Sequence, residues 1–354
     1  MTMSVVVETA AESAVSPFVI PTIDIAPYLQ DPSSEASARV VEEVRRACTT
    51  SGFFQIVGHG VSRELQRAIL RAAEVLFALP LDEKKKLRHP GLKNRGYELL
   101  GSQVLQEGAL PDLKEGFYIS QHVPQDDARS REHPYLIGPN VFPSGVADGA
   151  AIREPAETYY AALLALSCKV MEMLARGLPY GDDVFAAFAS NDPLCILRLL
   201  HYPPQPPPPP APPVEAETEA EGKPPTTTDV GPRLGAGAHT DFGAITLLLQ
   251  DETGGLEVYD RAAGAWMPVE PNPDGYVVNI GDMLSLWTGG TYKSTLHRVI
   301  NTSGRDRYSV PFFFDGNLDV ELAPLDGSAP PGGGKAPTVE GHILERYGAT
   351  YKKR

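Results

Sequence analysis

The chain has few cysteines and tryptophans, and its positive charge is outweighed. Three cysteines, Cys48, Cys168 and Cys195, lie far apart and are odd in number. That excludes a disulfide framework and suits free thiols in a reducing compartment. No apolar run approaches the ~18 residues that a membrane-crossing helix needs. The N-terminal MTMSVVVETAAESAVSP carries Glu8 and Glu12 and no basic lead, so it does not read as a secretory signal. Lysine and arginine number 31 against 45 aspartates and glutamates, a net charge of -14. Such a chain has little attraction for a phosphate backbone, so a nucleic-acid polymer is not an expected partner. These absences leave a cytoplasmic protein acting on a small molecule, with no membrane association and no protein partner named by the sequence.

What is present is a chain of 354 residues, 42% of them hydrophobic, long enough to bury a sizeable core. Residues 1–17 read as a loose tail. VIPTIDIAPYL reads as a strand and turn, and Asp31-Pro32 as the cap and first turn of a helix that stacks Val40, Val41, Val44 and Ala47. FFQIVGHGV reads as a buried strand. Helices are expected from about Ser62 to Leu79 and from about Pro155 to Arg176, the second repeating Leu163, Leu166, Val170 and Leu174. NRGYELLG and DLKEGFYIS fit either loop or strand. Beyond residue 190 the segments become short and β-rich: CILRLLHYP, AHTDFGAITLLLQD, GGLEVYD, AWMPVEP, GYVVNIGDMLSLWTGG, STLHRVI and RYSVPFFFDG. Many short strands divided by turn residues predict a sandwich or jelly roll. The stretch 203–232, rich in proline and acid, reads as an extended surface loop, an inserted linker or, alternatively, a docking site for a proline-binding partner. The end, VEGHILERYGATY, reads as a helix that can pack Ile343, Leu344 and Tyr347 on the sheet.

The chemistry gathers in the β-rich half. His239 and Asp241 are two apart, so on a strand they share a face, with Thr240 turned away. Alone, this is half a metal site or an ordinary polar pair. His59, His89, His122, His133, His201 and His342 have no partner at a telling spacing. His297 does differ: ten residues later stands Arg307-Tyr308-Ser309, and the intervening NTSGRD is rich enough in turn residues to fold the two segments into a hairpin. Two imidazoles and one carboxylate are the facial donor set for non-haem Fe(II), which leaves open positions for a bidentate keto acid and O2. A closed four-ligand zinc site would leave none. The Arg307 guanidinium can fork onto a carboxylate and Ser309 can add a third hydrogen bond, which suits the far end of 2-oxoglutarate.

With IPTIDIAPYL, GFFQIVGHGV, NRGY, LRLLHYP, HTDFGAITLLLQD, GGLEV, VVNIGDML, YKSTLHRV and RYS, the sequence resembles the Fe(II)/2-oxoglutarate-dependent dioxygenases of the isopenicillin N synthase-like group. The resemblance implies a mainly β fold with supporting helices and a double-stranded β-helix (jelly-roll) core. It implies an N-terminal non-haem dioxygenase region over 18–135, a jelly-roll core over 190–318 interrupted by the 203–232 loop, and a C-terminal helix over 336–354. It makes His239, Asp241 and His297 the iron ligands, and Arg307, Ser309 and Tyr202 the holders of 2-oxoglutarate. Fe(II), 2-oxoglutarate and O2 follow as cofactor and cosubstrates. Within this group the sequence is most similar to fungal thymine dioxygenases, which oxidise a ring methyl. That likeness assigns Arg198 and Phe313 to the substrate, and it adds Phe242 and, from NRGY, Asn94 and Tyr97.

Two departures bear on the substrate. Phe242 stands where those enzymes have tyrosine, and Cys195 where they have asparagine. Both read as lost polar handles, which argues for a less polar aromatic or heteroaromatic substrate in place of a nucleobase. Phe312, Phe313 and Phe314 are expected to shield the reacting centre from water. The implied reaction is oxidation, most simply hydroxylation, of a C–H bond with release of succinate and CO2. A thymine hydroxylase, an iron oxidase or cyclase of the same fold without 2-oxoglutarate, a zinc or manganese hydrolase and a non-catalytic binding protein are the alternatives.

Overall fold

The structure is a computed structural model. It describes residues 18–92, 94–106, 108–144, 146–190, 192–205, 233–330 and 333–351. The N-terminal tail over 1–17, the bulk of the proline-rich stretch over 206–232 and the last three residues lie outside the described residues. Twelve strands are described: β1 (Thr22–Asp24), β2 (Phe53–Val57), β3 (Gly96–Glu98), β4 (Glu115–Ile119), β5 (Leu194–Tyr202), β6 (Ala236–His239), β7 (Ile245–Gln250), β8 (Leu256–Asp260), β9 (Ala265–Pro268), β10 (Tyr276–Ile280), β11 (His297–Val299) and β12 (Arg307–Gly316). One sheet runs β1-β2-β10-β7-β12-β5-β4-β3 and the other β6-β11-β8-β9. Only the β1–β2 pairing is parallel; every other pairing is antiparallel.

Strand alternation gives the large sheet two different faces. Ile245, Leu247 and Leu249 of β7, and Val310, Phe312 and Phe314 of β12, turn into the main core, where they meet Leu76, Leu163, Val170 and Leu174 from the helices Arg63–Phe77 and Val146–Arg176. Their neighbours face the small sheet, where Phe53, Leu200, Tyr202, Val258 and Val277 form a second apolar cluster. Buried apolar surface is worth about 25 cal/mol per Å², and the helices supply it for one face of the large sheet. The other face is left to line the space between the sheets.

Several expected elements come out differently. The helix Glu35–Thr50 is capped by Ser34, whose side chain accepts from the Ser37 amide; Asp31 instead accepts from the Ser33 amide. The long helix begins at Val146, before Pro155. An interior proline costs ~3 kcal/mol, but fully buried Ile152 carries the apolar stripe upstream of it. NRGYELLG and DLKEGFYIS contain strands, β3 and β4. AHTDFGAITLLLQD is not one strand: it splits into β6 and β7, which lie in different sheets. GYVVNIGDMLSLWTGG is strand β10 followed by the helix Asp282–Trp287. That helix start explains the split. The amides of Gly281, Asp282 and Met283 donate to the carbonyls of Ala244, Asp241 and Gly243 at 2.8, 2.8 and 3.2 Å. The first-turn donors of a helix need partners, and the segment after His239 leaves its sheet to supply them. β11 and β12 form no hairpin either, since β11 pairs with β6 and β8 while β12 pairs with β5 and β7.

Across β3, β4 and β5 the helix-side face carries a charged network that is buried at Lys84 and Glu115 and reaches the surface at Asp306. Glu115 accepts from Lys84 Nζ at 2.8 Å and from Tyr97 Oη, and it meets His201 Nδ1 at 2.8 Å; His201 Nε2 meets Asp306 at 2.7 Å. Burial works to lower the His201 pKa, but the bonds to Glu115 and Asp306 outweigh it and the net shift is upward. A raised histidine pKa stabilises the fold fully below the unfolded value of about 6.5, and the contribution is lost as pH rises through the folded value. His201→Gln is therefore expected to cost roughly 1–3 kcal/mol near pH 6 and clearly less near pH 9. Denaturant titrations of both proteins at the two pH values measure this, and a pH-independent difference would contradict it.

Candidate functional site

His239 ends β6 and His297 opens β11, and the two are direct cross-strand partners. Their ring centroids are 4.3 Å apart. Each ring is oriented by its own backbone: Nδ1 of His239 lies 2.7 Å from the Gly237 carbonyl, and Nδ1 of His297 lies 3.1 Å from that of Thr295. A carbonyl only accepts, so Nδ1 carries a proton in both rings and Nε2 is the atom turned toward Asp241. Asp241 does not lie on the strand with His239. It sits in the loop held by the Asp282–Trp287 helix, and that bend, with Thr240 donating to Asp282 at 2.9 Å, swings its carboxylate over the histidine pair. Asp241 Oδ1 is 3.7 Å from Nε2 of His239 and 3.6 Å from Nε2 of His297. The other oxygen, Oδ2, accepts from Thr246 Oγ1 at 2.5 Å and Asn279 Nδ2 at 2.8 Å. Among the described residues this is the group of three or more histidine, cysteine or acidic side chains whose donor atoms could hold a metal, all lying within 4.8 Å of one another.

The electrostatics favour a cation at that point. Burial, then the neighbouring His297, push the His239 pKa down to about 3. Burial would raise the Asp241 pKa, but His297, His239 and the Thr246 hydroxyl hold it well below the usual carboxylate range. One imidazole is thus kept neutral beside an ionised carboxylate in a buried site, and neutral imidazole plus carboxylate oxygen is the donor chemistry of a non-haem Fe(II) centre.

The group stands where two cavities meet. His239, Asp241, Arg198 and Phe313 line both. The inner cavity continues past His297 to Tyr202, Arg307 and Ser309. Arg307 is fully buried. Its Nε donates to the Gly254 carbonyl and its Nη2 to Gln250 Oε1 at 2.9 Å, and its guanidinium carbon lies 4.7 Å from the Tyr202 ring centroid. Its Nη1 is buried with no partner. A buried unsatisfied donor on a cation is costly, and a carboxylate arriving between Arg307 and Ser309 would satisfy it. The residues present fit both the metal and the keto acid.

The outer cavity is lined by Phe242, Phe313, Tyr118, Ile343 and Tyr347, with Arg198 and Asp315 among its polar groups. The helix Val339–Tyr351 supplies one wall. His342 Nε2 lies 3.0 Å from the Phe242 carbonyl, and Arg346 pairs with Asp282 at 2.7 Å while covering the Phe242 ring. Arg198 reaches the cavity but is paired with Glu98 and donates to Gln103 at 3.3 Å, so its charge is already matched. Asn94 and Tyr97 are not brought to either cavity. Asn94 donates to the Leu136 carbonyl, and Tyr97 belongs to the Glu115 network. Cys195 lies on the helix-side face of β5, where its carbonyl accepts from Ser120 and Tyr160, so it is not a handle near the substrate ring. Phe312 and Phe314 also point away, against Tyr160 and Phe188. Of the three phenylalanines only Phe313 lines the cavities. Sequence reasoning missed Thr246, Asn279 and Asp315. An asparagine inside the apolar run YVVNI, and an acid two residues beyond Phe313, were the signals available.

Comparison with known proteins agrees with this geometry. Residues 20–145 match the family of the non-haem dioxygenase in morphine synthesis N-terminal region, and residues 193–316 match the 2OG-Fe(II) oxygenase superfamily. The 2-oxoglutarate-dependent dioxygenase citB of Monascus ruber is 49% identical over 96% of this chain and 98% of its own. Clavatol oxidase claD of Penicillium crustosum is 41% identical over 94% of this chain and 97% of its own. The full-length thymine hydroxylase of Neurospora crassa, in complex with alpha-KG, is similar in structure, with a TM-score of 0.75 and 26% identity over 94% of this chain and 96% of that one. The chain belongs to the Fe(II)/2-oxoglutarate-dependent dioxygenases. It is an oxidoreductase with a jelly-roll core that uses Fe(II), 2-oxoglutarate and O2 on a small molecule. Membership supersedes the hydrolase, the non-catalytic protein and the iron oxidase without 2-oxoglutarate. Among the described residues no helix is long and apolar enough to cross a membrane.

Thr246 and Asn279 fix which oxygen of Asp241 faces the histidines. Loss of such outer partners typically costs 10–100-fold in metal affinity. Thr246→Val and Asn279→Ala are each expected to weaken Fe(II) binding by about that factor in anaerobic titrations, with 2-oxoglutarate affinity at saturating metal little changed. Unaltered Fe(II) affinity in both would remove this role.

Proposed function

We propose that His239, Asp241 and His297 hold Fe(II), that Arg307, Ser309 and Tyr202 hold 2-oxoglutarate in the inner cavity, and that the outer cavity takes a small aromatic or heteroaromatic metabolite, oxidised at a C–H bond such as a ring methyl. The unpartnered Nη1 of buried Arg307, facing a cavity that begins at the histidine–aspartate group, carries this reading. When bound, Fe(II) with 2-oxoglutarate and O2 supplies the oxidising power, and succinate and CO2 leave as co-products. The chain's own part is orientation. Arg307 fixes the far carboxylate of the cosubstrate, which sets its keto acid end toward the three donors. Phe313, shared by both cavities, separates the cosubstrate from the ring to be oxidised. Phe242, Tyr347 and Ile343 exclude water from above.

An aromatic substrate is supported by the rings of Phe242, Phe313, Tyr118 and Tyr347 around the outer cavity, and by relatives such as clavatol oxidase. A pyrimidine is the second reading, favoured by the likeness to the Neurospora crassa enzyme, for which a complex with thymine exists. Three unpaired cysteines and the acidic composition support a cytoplasmic enzyme with neither a nucleic-acid polymer nor a membrane as partner.

Succinate release by the purified protein with Fe(II), 2-oxoglutarate and O2, across methylated aromatics and pyrimidines, tests the reading. Methylated aromatics are expected to raise succinate release well above the substrate-free rate; good turnover of thymine with the aromatics ignored would reverse the two readings. Asp241→Ala is expected to abolish iron-dependent turnover, and retained activity would remove the metal assignment. Arg307→Leu is expected to raise the KM for 2-oxoglutarate about 10- to 100-fold, from the loss of charge-assisted hydrogen bonds of roughly 1.5–3 kcal/mol, with a smaller change in kcat. An unchanged KM would count against the clamp.

A further inference from the structure

Among the described residues the buried acids are matched by donors, with one exception in the cavities. Asp112 is paired with Lys114, Glu115 with Lys84, and Asp241 with Thr246 and Asn279. Asp315 is 5% exposed and lines the outer cavity, yet its carboxyl makes no hydrogen bond or ion pair with any described residue. It stands two residues beyond Phe313 on β12, at a shift in the strand register after Phe314, and both residues line the outer cavity, while Arg307, Ser309 and Phe313 line the inner one. Gly243 makes the placement possible: a β-carbon there would collide with Asp315 Oδ1. The cationic group nearest in kind on the cavity wall, Arg198, is already committed to Glu98. A buried carboxyl left without a donor is expensive, and this one opens onto the space a substrate ring would fill.

We infer that Asp315 is a specificity-determining residue that accepts a hydrogen bond from a donor carried on the substrate ring, a hydroxyl or a ring N–H. The inference rests on the reading of the outer cavity as the substrate site, and it narrows the substrate class. The ring is not a plain hydrocarbon but bears an O–H or N–H that faces Asp315. A site built around a substrate donor rejects analogues that lack it far more strongly than an apolar pocket rejects a change of size.

The test is a cycle of protein and substrate changes. Wild type, Asp315→Asn and Asp315→Ala are assayed by succinate release with Fe(II) and 2-oxoglutarate. Three matched methylated benzenes are used, carrying a hydroxyl, the same oxygen as a methyl ether, or hydrogen. Thymine and its N-methylated forms make the N–H arm. Wild type is expected to favour the donor-bearing member of its series by at least tenfold in kcat/KM. Asp315→Ala is expected to shrink that ratio to within about twofold. Asp315→Asn, which has the same shape and still accepts through its carbonyl oxygen, is expected to keep an intermediate ratio and guards against loss through misfolding. An identical ratio in wild type and both variants overturns the Asp315 assignment while leaving the aromatic reading in place. Turnover of thymine alone overturns the aromatic reading, and the assignment then stands only if the Ala variant stops discriminating against N-methylation. Failure of every ring in both series overturns both.

Discussion

The site depends on a two-strand register. Because β6 and β11 pair with His239 opposite His297, two imidazoles are fixed side by side before any ligand arrives. A shift of either strand by one residue would turn its ring to the other face and separate the pair. The third donor cannot come from the same strand pair, since a straight β6 would carry Asp241 along the strand axis. The helix Asp282–Trp287 resolves this by drawing the carbonyls of Asp241, Gly243 and Ala244 onto its start, which lifts Asp241 over the pair. The need of a helix terminus for acceptors thereby sets the geometry of the proposed metal site.

This division of labour explains what the sequence could and could not show. His239, Asp241, His297, Arg307 and Ser309 could be singled out as candidates from residue type and spacing, and the structure brings the donor atoms of the first three within 4.8 Å of one another. The route by which they meet was not legible. Alternation along one strand was the wrong reason for placing His239 beside Asp241, and a hairpin was the wrong reason for placing Arg307 near His297. Both errors have one cause. In a jelly roll consecutive segments pass between sheets, and local periodicity does not record which sheet a strand joins. Asn94, Tyr97 and Cys195 failed differently. Each is buried and polar or near a strand, but β-alternation puts Cys195 on the helix side and the Lys84–Glu115–His201 network claims Tyr97. A motif match does not say which face of the sheet a residue serves.

The large sheet separates two kinds of buried polarity. On the helix side, charges are matched by charges and serve the fold. On the inner side, Arg307 and Asp315 keep unmet hydrogen-bonding capacity, one toward each cavity, with the histidine–aspartate group between them. Thr246 and Asn279 meet the second oxygen of Asp241, so the first is the one presented inward. Unmet capacity in a buried wall costs stability, and both groups lie on cavity walls, where a ligand could supply the missing partner.

The most direct measurement is the position of iron itself. Crystals prepared without oxygen and loaded with Fe(II) and 2-oxoglutarate, with anomalous data collected at the iron edge, would give one peak within bonding distance of Nε2 of His239, Nε2 of His297 and Oδ1 of Asp241, and the far carboxylate of 2-oxoglutarate against Arg307 and Ser309. A peak elsewhere, or a cosubstrate carboxylate remote from Arg307, would contradict the account.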